Sequence, residues 1–248
     1  MEAGSVAVGY IHPGEVDGAF AQSLAMTVLH DRTRNRIQHV INVQSSPRIA
    51  EGRSELVDGF LQHTDADWLW MVDADMAWEP EDFERLYQHA HKDRAPIVGG
   101  LCFGGGRNFE IGMPKVFPTI YRLVEQDGLP ATQIVYDYPR DTFVRCSATG
   151  AAFLMVHRRV FVRMQNHLSK MPDGTHNPYP WFAEIVNKGR AVGEDITFCL
   201  RAGALGFPIY VHTGVRIRHH KGIFLDESTY DYMVEKALEE AGPSEEAA

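Results

Sequence analysis

The sequence predicts an α/β fold. A mostly parallel central sheet is flanked by helices and runs on into a mixed, antiparallel C-terminal half. Three observations carry this. Strand and helix patterns alternate through the first hundred residues, hairpin patterns replace them afterwards, and one stretch, Trp68-Leu69-Trp70-Met71-Val72, is apolar without polar alternation. Such a run is a strand buried on both faces, in a sheet covered by helices. No composition break or linker interrupts the chain, so 1–248 reads as a single domain. Within it, 1–103 is the parallel half, 104–225 the mixed half, and 226–248 a last helix with an acidic tail.

Composition narrows the classes. The chain has 248 residues, 44% hydrophobic and 23% charged, as expected of a globular protein. A net charge of -9 argues against a broad nucleic-acid surface. Cys102, Cys146 and Cys199 are far apart, match no metal spacing and suit a reducing compartment. The start has neither a basic segment nor a long apolar run. A cytoplasmic protein without a signal peptide or membrane span is the expectation.

In order, Val6 to Ile11 is a first strand ending in the turn His12-Pro13-Gly14. Phe20, Leu24, Thr27 and Val28 fall on one helical face. Asp31 to Arg36 reads as a solvated connection, and Val40 to Val43 as a second strand. In the next helix Ile49, Leu56, Val57, Phe60 and Leu61 face the core. Arg48 and Arg53 lie near its start, placed either to pair with a diphosphate or to form surface ion pairs with Glu51 and Glu55. Pro80 suits the first turn of a helix that buries Phe83, Leu86, Tyr87 and Ala90. Pro96 to Phe103 is a strand before three glycines. Val116–Tyr121 and Gln133–Tyr136 look like a hairpin.

Ser147 to Val156 opens with small residues, either leaving room for a ligand near Gly150 or packing tightly, and ends as a buried strand. His157 to His167 is helical, and Lys170 to Pro180 a mobile loop. Trp181 after it either stacks on a sugar ring or joins the core. Glu194 and Asp195 sit in the first turn of a helix, where the dipole favours anions. Pro208–Val211 and Val215–Lys221 are strands, the latter with a basic end. The last helix turns Tyr230, Met233, Val234, Ala237 and Leu238 inward and stops at Gly242-Pro243.

Chemistry concentrates after the apolar strand. Asp73 and Asp75 follow it at the carboxyl end, where open α/β sheets bind ligands. In extended chain they point the same way and repel unless a cation sits between them. Oxygen ligands of this kind suit Mg²⁺ or Mn²⁺, often shared with phosphates. Asp65-Ala66-Asp67 has the same spacing but precedes the strand. It reads as a solvated turn and helix cap.

Asp73-Ala74-Asp75, Gly193-Glu194-Asp195 and His219 in Val-Arg-Ile-Arg-His-His-Lys come in that order. Together they resemble the GT-A fold glycosyltransferases that use nucleotide sugars, in particular soluble bacterial and phage-type members related to family 2. The resemblance covers roughly Val6 to Gly222 and implies a Rossmann-like, nucleotide-binding first half. It also implies a metal-dependent transfer of a sugar from a nucleoside-diphosphate sugar, UDP first, to an acceptor hydroxyl. On the acceptor, glycan, protein and lipid-linked hydroxyls stay open.

By this resemblance Asp73, Asp75 and His219 hold Mn²⁺ or Mg²⁺, with His220 as the alternative to His219. Tyr10, His12 and Pro13 meet the base and ribose, with Asp73 near the ribose, while Arg53 and Lys221 neutralise phosphate charge. In an inverting transfer Asp195, then Glu194, is the general base, whereas in a retaining one this carboxylate orients substrate; Gly150 and Trp181 lie on the acceptor side. A nucleotidyltransferase-type sugar-nucleotide enzyme and a non-catalytic carbohydrate-binding protein on the same scaffold are the alternatives.

Overall fold

The computed structural model describes residues 4–45, 48–110, 113–126, 129–168, 180–187, 190–222 and 224–241. The 170–179 loop, the Gly242-Pro243 stop, the acidic tail and the Asp127-Gly128 turn lie outside them.

The strand built from Trp68–Val72 is the centre of the molecule. All five residues are buried, and the pleat sends Trp68, Trp70 and Val72 to one face and Leu69 and Met71 to the other. On the first face Trp70 packs against Trp78, Phe83 and Phe153, with ring centroids 5.6, 4.8 and 5.0 Å away. Truncating Trp70 to alanine removes that packing at a cost of about 3–5 kcal/mol.

A seven-stranded sheet surrounds this strand, in the order Phe143–Cys146, Ile209–Arg216, Ile97–Leu101, Phe153–His157, Trp68–Val72, Val6–His12, Ile37–Gln44. Val6–His12 pairs in parallel with both Trp68–Val72 and Ile37–Gln44, and Ile209–Arg216 is parallel to Ile97–Leu101. Phe153–His157 and Phe143–Cys146 run the other way. The sheet is therefore mixed but mostly parallel, and the carboxyl ends of its parallel strands gather at one edge.

Helices α1 (Gly18–Asp31) and α3 (Pro80–His89) cover the tryptophan face. Helices α2 (Ile49–His63), α4 (Arg158–Leu168) and α5 (Glu194–Ala204) cover the other. Helix α6 (Glu227–Ala241) packs at the periphery through Tyr230 and Met233. Pro80 sits at the start of α3, and a capping box between Glu79 and Asp82 satisfies its first amides.

Several local expectations need correction. Val116–Tyr121 is not one strand. It breaks at Pro118, so Met113–Pro118 pairs with Phe103–Glu110 while Ile120–Gln126 forms the hairpin with Leu129–Ile134. Val215–Lys221 also divides. Its first residues finish the long Ile209–Arg216 strand, and Arg218–His220 forms a separate short one. Asp31 to Arg36 is no free loop, because Arg34 and Arg36 converge on Glu84, and Arg36 also bonds the buried Asp31. Val28, Ile49, Val234 and Leu238 are exposed, since the helices present narrower faces to the core than the apolar pattern suggested. Among the described residues no helix is long and apolar enough to cross a membrane.

Candidate active site

A cleft of about 770 Å³ lies outside the carboxyl ends of the parallel strands, the position open α/β sheets use for ligands. Its floor is Asp73-Ala74-Asp75. One wall comes from the Val6–His12 strand and the residues after it, the other from Arg218–His220 and Lys221.

The two aspartates do not point the same way. The chain leaves the strand and turns, with Met76 N–H donating to the Asp73 carbonyl at 3.1 Å. Each carboxylate thus faces a different set of partners. Asp73 accepts both its bonds from Arg53 Nη2, at 2.8 and 3.0 Å. Asp75 Oδ2 meets His219 Nε2 at 3.1 Å and accepts from Lys221 Nζ at 2.6 Å. Burial pushes the Asp75 carboxyl up, but His219 and Lys221 outweigh it and hold the group at about 2. Pairing accounts for the position of His219: Arg218–His220 is antiparallel to Met76–Ala77, with His219 opposite Met76.

The ring of His219 is fixed from behind, with Nδ1 2.9 Å from the Phe103 carbonyl. That nitrogen must carry a proton to bond a carbonyl, which leaves Nε2 to face Asp75. A metal-ligating histidine is held in this way, one nitrogen on a backbone carbonyl and the other free for the ion. His220 is engaged elsewhere. Its Nδ1 meets Asp17 Oδ2, and its amide donates to the Asp75 carbonyl at 2.9 Å. Of the two histidines, only His219 lies on Asp75. Among the described residues no three His, Cys, Asp or Glu side chains form a ready-made metal cage. Asp75 and His219, a carboxylate beside an imidazole, have the donor chemistry a divalent ion takes, and Asp73 lines the same cleft while bonded to Arg53.

Arg53 is the hub of the site. It projects from the second turn of α2 and is 4% exposed. A Cβ on Gly52 would run into Ser45, so glycine is what lets the start of this helix lie against the end of the neighbouring strand. Besides Asp73, the guanidinium contacts Asp195 Oδ1 and lies 3.4 Å from Glu194 Oε1. Its Nη1 and the Asp195 oxygen are both out of water and meet as an ion pair rather than as an aligned hydrogen bond. The Phe182 ring covers it at 5.9 Å. Glu194 and Asp195, in the first turn of α5, are thereby tied to the floor of the cleft although they do not line it. Arg48 takes the surface course, bonding the exposed Glu51 at 2.9 Å.

His12, Pro13, Asp73, Arg53 and Lys221 all line the cleft, but Tyr10 does not. Tyr10 packs on Phe20 instead, with centroids 5.0 Å apart. Trp181 is not an acceptor platform. It is fully buried and donates its indole N–H to the Phe161 carbonyl at 2.9 Å. Its flat apolar side finds more contact in the core than beside water. Gly150 is half-exposed, and a Cβ there would lie 3.7 Å from Asp195 Oδ2. Its neighbours Ala148, Thr149 and Ala151 are tightly packed. Cys102 stands near Asp73 and Asp75, and burial and their charges push its thiol up, which favours the protonated form.

Asp17 was missed by sequence reasoning. It caps α1, accepting from Ala19 N–H at 2.8 Å, and its other oxygen holds His220 on the cleft wall. The signal was available, since an N-cap aspartate directly after the first parallel strand falls at the ligand-binding edge.

The fold and cleft define a GT-A type protein, and comparison with known proteins agrees. Residues 41–152 match the model of Glycosyl transferase family 2. The structure is similar to that of A197 from STIV, with 16% identity, 87% of this chain and 85% of that chain covered, and a TM-score of 0.52. It is also similar to GalNAc-T7, solved with UDP, GalNAc and Mn²⁺, with 12% identity, 88% of this chain covered and a TM-score of 0.53. The chain spans only 43% of GalNAc-T7. No curated protein matches the sequence significantly. At these identities the structural likeness speaks for the fold. The family match, which covers under half of the chain, supports glycosyl transfer as its general chemistry.

Proposed function

We propose that the protein is a metal-dependent glycosyltransferase that moves a sugar from a nucleoside-diphosphate sugar, UDP first, to an acceptor hydroxyl in the cytoplasm. The observation that carries this is the charge arrangement of the cleft. Asp75 and His219 form a carboxylate–imidazole pair at its floor, and Arg53 ties that floor to Asp195.

On this reading Asp75 and His219 hold Mn²⁺ or Mg²⁺. Such an ion, when bound, neutralises charge that develops on a diphosphate leaving group. Lys221, which bonds Asp75 at the cleft wall, would supply positive charge for the phosphates. Asp73, held by Arg53, accepts from the ribose. His12 and Pro13 flank the base. A hydroxyl acceptor needs a base within hydrogen-bond reach. Asp195 takes its proton, Arg53 fixes the carboxylate in place, and Gly150 leaves room for the acceptor beside it. Glu194, farther from the guanidinium, supports the turn.

The test is thermal unfolding with UDP, GDP, CDP and dTDP, each with and without Mn²⁺. A ligand that binds only the folded state raises stability by mass action. The expected result is a metal-dependent shift with UDP that exceeds the others. A chain that shifts with no diphosphate, metal present, does not carry this donor site.

A further inference from the structure

A second cavity, of about 270 Å³, lies apart from the cleft, on the antiparallel half of the molecule. Its walls are apolar where Ile120, Val135 and Val144 face it, and basic at Arg122 and Arg145. Among the described residues neither of these guanidiniums has a hydrogen-bond or ion-pair partner. In most other places the chain pairs its arginines with acids, as Arg36, Arg53, Arg140 and Arg159 show. The net charge of -9 leaves no shortage of carboxylates. Two unpaired guanidiniums at one concave site therefore point outward to an anion from solution. Ser147 adds a donor. Its Oγ accepts from Leu123 N–H at 2.9 Å, which leaves its own proton for a ligand.

The cavity is joined to the candidate active site through two strands. Ala148 pairs with Tyr121 and Thr149 with Ile120, and one residue beyond this pairing on each strand stand Gly150 and Thr119. A Cβ at Gly150 would lie 3.6 Å from Thr119 and 3.7 Å from Asp195. The strand pair that forms part of the cavity wall thus continues to the residues beside Asp195.

We propose that this cavity binds a phosphate-type oxyanion carried on an organic body, with Arg122 and Arg145 as its ligands, and that it anchors the acceptor. The anchoring role rests on the glycosyltransferase reading, but the binding does not.

The experiment is an amide ¹⁵N–¹H titration of the full chain at constant ionic strength, with inorganic phosphate and with phenyl phosphate. Phenyl phosphate should shift amides around Arg122 and Cys146 and bind more tightly than inorganic phosphate, because the apolar walls favour its ring. Equal affinity for the two would mean a site for the free ion and overturn the organic-body part of the proposal. The variants Arg122→Gln and Arg145→Gln should each weaken phenyl phosphate binding by about tenfold, the expected loss for a charge-assisted bond. Unchanged affinity in both variants, or no shifts near these residues in the wild type, overturns the site. The metal-dependent UDP shift, measured on the same samples, should survive both substitutions. Its absence from the wild type would sink the donor reading while leaving phosphate binding at the cavity standing.

Discussion

Asp65-Ala66-Asp67 and Asp73-Ala74-Asp75 bracket one buried strand with the same tripeptide. At the amino end Asp65 is left to water, its side chain 91% exposed, and meets the half-buried His39 at 3.2 Å. Asp67 accepts from Ser5 N–H at 2.9 Å and so closes the start of the chain, which is an anchoring task rather than the helix cap the sequence suggested. The carbonyls of this end are taken up by Arg158, with Ala66 at 2.7 Å and Thr64 at 2.9 Å. At the carboxyl end the same acids meet Arg53, His219 and Lys221 across a cleft. The spacing of two carboxylates therefore makes no site by itself. What makes one is the convergence of parallel strand ends, which brings cations from α2 and from the Arg218–His220 strand to one place.

The comparison breaks most visibly at Asp195, the residue tied to the carboxyl end through Arg53. Asp195→Asn should lower transfer by about 10²–10⁴-fold and leave UDP binding intact, as turnover and thermal shift together would show. Near-normal turnover would remove Asp195 from the role of base.

Next in size is the hub. Arg53→Gln leaves Asp73, Glu194 and Asp195 facing one another without their shared cation. A loss of about 3–5 kcal/mol in urea unfolding is expected, the usual cost of breaking a buried ion pair. A neutral result would mean that the acids disperse freely and that the site is not built on this residue.

Asp75→Ala and His219→Ala should each weaken metal-dependent UDP binding by about tenfold or more, as loss of a metal ligand or its support does. The matched substitution at the other end, Asp67→Ala, should cost about 1 kcal/mol of stability for its lost hydrogen bond and leave UDP binding untouched. If the two ends respond alike, the contrast between them fails.

The smallest effect is a background shared by both ends. Burial pushes the imidazole of His212 down, from 6.5 to about 4. The folded state then binds fewer protons than the unfolded chain between these values, so stability falls as pH drops through that window. The slope cannot exceed about 1.4 kcal/mol per pH unit for one group. His212→Asn should flatten it, whereas Asp67→Ala and Asp75→Ala should keep it. Melting temperature against pH reads all three.

Much of this was legible in the chain, for definite reasons. A fully apolar run of five residues with two tryptophans is too short for a buried helix and reads as a central strand, and two acids directly after such a strand lie at its carboxyl end. Helix starts were readable from Pro80 and from the acids that open α5. The directions of Asp73 and Asp75 were not, because a turn reverses the extended geometry within two residues. Nor was the fate of Arg53, since pairing with Asp195 joins residues far apart in sequence, and the local pattern suggested a diphosphate or the nearby Glu51 and Glu55. Trp181 read as ambiguous because one tryptophan beside a polar loop looks the same whether it faces water or the core. Asp17 was missed because its partner His220 lies at the other end of the sequence.

One guanidinium balancing three carboxylates has a consequence for how this protein can be changed. On the proposed function, substitutions that keep the fold would retune nucleotide use around the rim, at positions such as His12, Pro13 and Glu15. Residue 53 would then belong to the donor floor and to the base at once, so neither half could be redesigned through it alone. An engineer seeking a new donor would hold α2 constant and vary the loop that follows the first strand.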